Sequence, residues 1–254
     1  MALIRTEHLQ KTYIIGDMEV HAVHDLSLSV EQGEFVTIMG PSGSGKTSLM
    51  NILGCLDVPT SGRYFLNEKD VSRLKRDDLA TIRNSMIGFI FQQYNLLTRI
   101  NVMENVILPM LYNEEKRYTR AEQVRKAEKS LSIVGLNDRM HFEIKQLSGG
   151  QQQRVAIARS LVNDPSLIMA DEPTGALDTK TSYEVMQILQ NLNEQMNISI
   201  LMVTHSPEIA QFSRRIISFR DGTVLSDSPV EQRIMARDML MQHIPKESLQ
   251  REVE

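Results

Sequence analysis

Short apolar runs alternating with helical segments predict an α/β protein built on a parallel sheet. Three observations carry this expectation. Residues 34–39, 166–170 and 199–204 are apolar, β-rich and bounded by polar residues, as strands buried on both faces should be. Between the last two, Val185, Ile188, Leu189 and Leu192 recur at the spacing of one helix face. A glycine-rich loop joins the run at 34–39 to an apolar helical stretch at 48–56.

The other elements follow in order. Residues 26–31 alternate apolar and polar, the period of a half-exposed strand, and Gln32-Gly33 supplies a turn. A turn at 59–62 precedes strand candidates at 63–66 and 87–91. From about 101 to 163 the chain is rich in Glu, Lys, Arg, Gln and Ala and reads as helices, clearest at 120–134, which predicts an inserted helical subdomain. Residues 216–219, Asp221-Gly222 and 223–225 read as a hairpin. The stretch 230–254 is charged and carries Met235, Met239 and Met241, with Pro245 breaking it. It reads as a surface helix with a frayed end, or as a helix that contacts a partner.

The 254 residues suit one large domain or two small ones, and 41% hydrophobic with 24% charged residues exclude a mostly disordered or collagen-like chain. Lys and Arg number 28 against 32 Asp and Glu, and the net charge of −4 argues against a nucleic-acid partner. A single cysteine, Cys55, excludes an intrachain disulfide and fits a reducing compartment. No run approaches the ~18 apolar residues of a membrane span, and residues 1–12 lack a signal-peptide core. The expectation is a cytoplasmic protein that works at a membrane, if at all, through a partner.

The glycine-rich loop carries the first chemistry. Gly40-Pro41-Ser42-Gly43-Ser44-Gly45-Lys46-Thr47 fits G-x-x-x-x-G-K-[ST]. Its glycines let backbone N–H groups turn onto phosphate oxygens, and the helix behind it offers its positive end to the same anion. Lys46 then reaches the β- and γ-phosphates, and the Thr47 hydroxyl can ligate Mg²⁺. Kinases, GTPases, helicases and transport ATPases share such a loop.

Two further groups narrow the class. Residues 167–170 form an apolar strand ending in Asp171 and Glu172. Parallel strands carry their ligands at their C-terminal ends, so Asp171 is placed to hold Mg²⁺ through water and Glu172 to polarise an attacking water. Paired acids after a strand also suit the start of a helix. Upstream, Ser148, Gly149, Gly150 and Gln151 open a helix over about 152–162. They make a second anion site without a lysine, suited to the γ-phosphate of a nucleotide held by another copy, or simply a serine-capped helix.

Residues 147–154 (LSGGQQQR) resemble the signature motif of ATP-binding cassette (ABC) ATPases, and residues 170–178 (ADEPTGALD) resemble their Walker B and D-loop. Five motifs occur in the family's order between about residues 4 and 225. The resemblance implies a P-loop nucleoside-triphosphatase (RecA-like) α/β core with an antiparallel β subdomain. It implies a cassette over 1–229 with a helical subdomain inserted at about 95–163, and a separate tail over 230–254. It implies that Tyr13 stacks on adenine, that residues 40–48 through Ser48 cradle the phosphates, and that Gln92 contacts Mg²⁺ and the reacting water. By the same resemblance Asp178 crosses a dimer interface and His205 senses the γ-phosphate. ATP and Mg²⁺ are the implied cofactors, with Glu172, His205, Gln92 and Lys46 as catalytic groups.

The implied assembly is a head-to-tail pair of copies that closes around two ATP molecules. Residues 49–57, 88–97 and 175–178 look most like the macrolide-export and lipoprotein-release branch, and Ala176 leans towards export. Partners there are permeases with a large extracytoplasmic domain, with an adaptor outside the membrane as a further expectation. Residues 96–104 are the expected lining of the permease's docking groove. A soluble ABC ATPase acting on DNA or ribosomes is the competing class, but no sustained heptad pattern fills the stretch between Lys46 and Ser148. A scaffold ATPase of a cell-division or peptide-sensing complex would carry the same catalytic residues.

Overall fold

Ala2–Ile15 (β1) and Met18–Glu31 (β2) pair as one long antiparallel hairpin. The computed structural model describes residues 2–113 and 116–242. Phe35–Met39 (β3) leads through the glycine-rich loop into Lys46–Leu53 (α1). Ser61–Leu66 (β4) and Lys69–Asp70 (β5) return to the hairpin, completing a four-stranded antiparallel sheet of order β2-β1-β4-β5. Arg76–Met86 (α2) and Ile87–Ile90 (β6) follow, then Val102–Ile107 (α3), Arg120–Ile133 (α4) and Gly149–Leu161 (α5). The chain continues through Leu167–Asp171 (β7), Thr179–Met196 (α6), Ser199–Thr204 (β8) and Pro207–Ala210 (α7). It ends in the hairpin Arg215–Arg220 (β9) and Thr223–Pro229 (β10), then Ala236–Gln242 (α8).

The second sheet has order β10-β9-β3-β8-β7-β6 and is parallel except for β10. Strands β3, β6, β7 and β8 are largely apolar because both their faces are covered, whereas the edge strand β10 is exposed along its length. Successive side chains point to opposite faces. Ile168, Ala170, Ile200 and Met202 therefore join the helical core with α3–α6, while Leu167, Met169, Leu201 and Val203 join the core beneath α1 and the antiparallel sheet. The register sets Met39 beside Thr204, Val203 beside Asp171 and Ala170 beside Ile90. Four strands thus deliver their C-terminal ends to one edge.

Three features depart from the sequence reading. The antiparallel hairpin extends far beyond 26–31, because β1 pairs on both sides, with β2 and β4, and its mixed residues alternate between core and solvent. The helix α2 had no strong apolar period: only Leu79 and Ile82 are buried on it. Nor does the tail separate at residue 230. Ala236 is fully buried, its N–H donates to Gln190 Oε1 at 2.9 Å, and Arg233 Nε donates to the Phe212 carbonyl at 2.8 Å. Ala236 joins the helical core and Ile234, Met239 and Leu240 pack against it, while 243–254, including Pro245, lie outside the described residues. Among the described residues no helix is long and apolar enough to cross a membrane.

Candidate nucleotide site

The loop after β3 is held open for an anion. Gly45 caps α1 at φ 97° and supplies no side-chain cap, so the first N–H groups of the helix have no side-chain acceptor there. A Cβ on Gly45 would lie 2.1 Å from the Ala22 carbonyl oxygen, so β2 and the loop can approach only at glycine. Lys46 folds back, its Nζ donating to the carbonyls of Gly40 at 2.8 Å and Pro41 at 2.6 Å. Burial pulls its pKa down, and Glu172 and Asp171 push it back up. The ammonium therefore sits partly desolvated, at the floor of the loop, with two exchangeable carbonyl partners.

Asp171 and Glu172 close the end of β7. Burial pushes the Asp171 carboxyl up, and the neighbouring Glu172 adds to this against the pull of Lys46. Two adjacent carboxylates in a half-buried cleft repel, and a divalent cation would relieve them. Thr47, Gln92 and Asp171 all line that cleft and offer the hard oxygen donors Mg²⁺ takes, so the donor set fits this ion. Glu172 has the left-handed φ of 46°, uncommon for a residue with a side chain and concentrated at functional sites. Its Oε2 accepts from the Thr204 hydroxyl at 2.9 Å and its Oε1 from the His205 backbone N–H at 2.8 Å. His205 Nδ1 is 2.6 Å from the same Oε1.

Tyr13 lies on β1 above the loop. Its hydroxyl donates to Asp57 Oδ2 at 3.1 Å, and Lys11 Nζ, 2.7 Å from the same carboxylate, stands 4.8 Å from the ring centroid. Burial raises the Asp57 pKa, but hydrogen bonds from Lys11, the Val58 N–H and Tyr13 outweigh it and hold the carboxyl low. Tyr13 is thereby fixed in the wall of an open cleft of about 1160 Å³. Ser42, Gly43, Ser44, Gly45, Lys46, Thr47 and Ser48 form its floor, with Gly40 at the start of the same loop. Gln92, Asp171, Glu172 and His205 close the far side, so Gln92 rather than Gln93 faces the cleft.

Five expected residues lie elsewhere. Ser148 caps α5, its Oγ accepting from Gln151 N–H at 3.3 Å while Gln151 Oε1 accepts from Ser148 N–H at 3.0 Å. A Cβ on Gly150 would meet Thr181 Cγ2 at 2.2 Å, so that glycine lets α5 pack against the start of α6. Asp178 caps α6, accepting from Thr181 N–H at 3.0 Å and Thr181 Oγ1 at 2.6 Å, and these bonds lower its pKa. Ser148, Gly150 and Gln151 line a separate polar hollow of about 340 Å³ with Arg139 and Arg154, while Gly149 approaches the Tyr94 hydroxyl. Within one chain, then, the second anion site does not reach the first.

The cleft also contains residues the sequence did not single out. Glu19, His21 and His24 of β2 and Asp221 and Gly222 of the β9–β10 turn all line it. The alternation over 26–31 marked only the far end of β2, and nothing in the spacing of these residues signals a site. Of residues 96–104, Leu97, Thr98 and Arg99 are exposed while Val102 and Met103 are buried, and Asn105 ties the loop by accepting from Leu97 N–H at 2.8 Å.

A phosphate loop at the end of a parallel strand, with carboxylates ending a second strand, a glutamine after a third and a histidine after a fourth, defines an ATP-hydrolysing cassette. The family model described as ABC transporter matches residues 23–175. The ABC transporter ATP-binding protein YknY of Bacillus subtilis is 50% identical, over 89% of this chain and 96% of that protein. The macrolide export ATP-binding/permease protein MacB of Bdellovibrio bacteriovorus is 49% identical over 90% of this chain, which spans only 34% of that longer protein. Among solved structures, the dimeric post-hydrolysis state of the ATP-binding cassette MJ0796 bound to ADP and Pi superposes with a TM-score of 0.82 at 41% identity, covering 90% of this chain and 99% of that one. The chain belongs to the ABC transporter family and is its ATPase cassette.

Proposed function

We propose that this chain is the ATP-driven motor of a membrane permease of the macrolide-export and lipoprotein-release type, working as a head-to-tail dimer on the inner face of the membrane. The observation that carries this reading is the separation of the two anion sites. The cleft at Lys46 lacks Ser148 and Asp178, and a second copy turned head to tail supplies both. The dimeric MJ0796 cassette and the MacB relatives support the reading.

In this reading the loop N–H groups and Lys46 bind the phosphates, Tyr13 stacks on the base, and His205 answers to the γ-phosphate. Thr47, Gln92 and Asp171 hold Mg²⁺, which when bound neutralises charge on the phosphate oxygens. Glu172 accepts a proton from, or orients, the attacking water. Closure on ATP and opening after hydrolysis is a ligand-driven population shift that a bound permease can feel. The permease's cytoplasmic segment docks in a cleft of about 520 Å³ lined by Phe89, Phe91, Tyr112, Arg83 and Arg159. That lining contains no carboxylate, and among the described residues Arg159 donates to the carbonyls of Tyr94 and Asn95 at 2.8 and 2.5 Å. An extracytoplasmic domain on the permease, and an adaptor beyond it, complete the expected assembly.

The test is a pull-down from native membranes with Glu172→Gln protein, ATP and Mg²⁺. Recovery of a permease with a large outer domain supports the motor reading. Soluble partners alone would move the chain to the other ABC ATPases, and a division or peptide-sensing permease would make it a scaffold.

A further inference from the structure

The nucleotide cleft is poor in fixed positive charge. Lys46 is the one permanent cation among its described lining residues, against the carboxylates of Glu19, Asp171, Glu172 and Asp221. A polyphosphate entering such a site meets a deficit of cation, only part of which Mg²⁺ fills. Two imidazoles stand in the wall that faces it. The rings of His21 and His24 lie 5.1 Å apart, tilted 44°, between Tyr13 and the phosphate loop.

Both rings are positioned by the elements that make the site. His21 Nδ1 is 2.9 Å from the Thr12 hydroxyl, so the ring is tied to the residue before Tyr13. The His24 backbone N–H donates to the Gly222 carbonyl at 2.8 Å, and the Gly222 N–H donates to the Ser44 carbonyl at 3.0 Å. His24 is thus two hydrogen bonds from the phosphate loop. Glu19 Oε2 is 3.9 Å from His21 Nε2, and Asp221 is on the turn that His24 packs against. Asp25, the next residue, is already paired with His8 at 2.7 Å. Lys46, Asp171, Glu172 and His205 face the pair across the cleft, and the Lys11–Asp57 pair lies behind Tyr13.

We propose that His21 and His24 form a titratable cationic wall for the phosphate chain of the bound nucleotide, so that affinity tightens as pH falls. The proposal rests on the cleft's being the ATP site. Imidazole is the side chain whose charge changes between about pH 5 and 8, and charges closer than about 8 Å are only partly screened at physiological salt. Protonation puts two cations where the cleft has one.

ADP is the probe, because His205 is expected at the γ-phosphate that ADP lacks, and adenosine is the uncharged control. Binding to the full chain is measured with Mg²⁺ at about pH 6 and pH 8 for the natural protein, for His21→Gln/His24→Gln and for His24→Lys. Both rings are exposed, so the replacements leave the core intact, and a thermal melt of each variant checks this. The ratio of ADP Kd at the two pH values should favour low pH about three- to tenfold more in the natural protein than in the double variant, with no such difference for adenosine. His24→Lys should bind tightly at both pH values. Equal ratios in the natural protein and the double variant, with ADP still bound, overturn the role of the pair alone. Failure of the natural protein to bind ADP at either pH overturns the nucleotide cleft as well.

Discussion

Glu172 and His205 are joined twice: the His205 backbone N–H donates to Glu172 Oε1 at 2.8 Å, and Nδ1 lies 2.6 Å from the same oxygen. An ionised carboxylate can only accept, so the proton on the neutral ring is at Nδ1 and Nε2 is the bare acceptor. In that state His205 cannot donate to a phosphate through Nε2. It gains that ability as imidazolium, or when the ring leaves Glu172. The carboxylate that would handle water and the imidazole that would meet the γ-phosphate thus hold one another, and donation to a phosphate through Nε2 requires this pairing to change.

Glu172→Gln should therefore lower ATP hydrolysis by about 10²- to 10⁴-fold, the contribution of a positioned general base, while ATP binding persists. Single-turnover phosphate release and equilibrium binding of a fluorescent ATP analogue read the two quantities separately. Normal turnover in this variant would remove Glu172 from the reaction.

Thr204 holds the other oxygen of Glu172 at 2.9 Å, which makes it a positioning residue. Thr204→Val keeps the volume and removes the hydroxyl. The expected result is a kcat reduced about three- to tenfold with KM for ATP little changed, whereas Thr204→Ser retains most of the rate. A loss confined to KM would contradict this role.

Asp171→Asn should stabilise the nucleotide-free chain. Burial, then Glu172, raise the Asp171 pKa in the folded state, so its protonated form is favoured by folding. That favourable contribution is complete below the ordinary carboxylate pKa and disappears as pH rises through the raised value. At pH 7 the ionised group is a cost, and the asparagine variant should melt about 2 °C higher. The gap should close as the acid side of the raised pKa is reached, and calorimetry across that range decides it.

A mixing experiment tests whether Ser148 works in trans. Ser148→Arg and Lys46→Ala proteins should each be inactive. In a mixed head-to-tail dimer one site has both defects and the other has neither, so an equimolar mixture should recover about a quarter of the natural ATPase rate. No recovery, with both variants folded, would argue against the shared site.

Much of this site was legible because its motifs are local. The phosphate loop needs contiguous glycines, a lysine and a hydroxyl, so residues 40–48 announce themselves. Asp171 and Glu172 follow a run whose apolar character already marked a buried strand. Tyr13 was harder, since its place in the cleft depends on Asp57 and Lys11, brought together by the packing of β1 against the loop after α1. His21 and His24 gave no signal at all. Their strand carries an exposed, polar stretch there, and only a fold that lays β2 across the phosphate loop makes that stretch a wall. In the tail, charged residues predicted a surface helix, and α8 keeps Arg237, Asp238, Met241 and Gln242 exposed; what gave no signal was Arg233, which spans from the Phe212 carbonyl to Glu194, and the burial of Ala236.

By itself the sequence determined the alternation of strands and helices, the chemistry available at each strand end and the identity of the family's motifs, because these depend on neighbours in the chain. Only the tertiary structure decided which of those motifs share a cleft. Parallel strands bring Met39, Ile90, Asp171 and Thr204 to one edge regardless of their distance in sequence, while the capping of α5 and α6 fixes Ser148 and Asp178 on another face. Hydrogen-bond register in the sheet and side-chain packing between the helices are non-local, and they separate in space what the chain presents as one set.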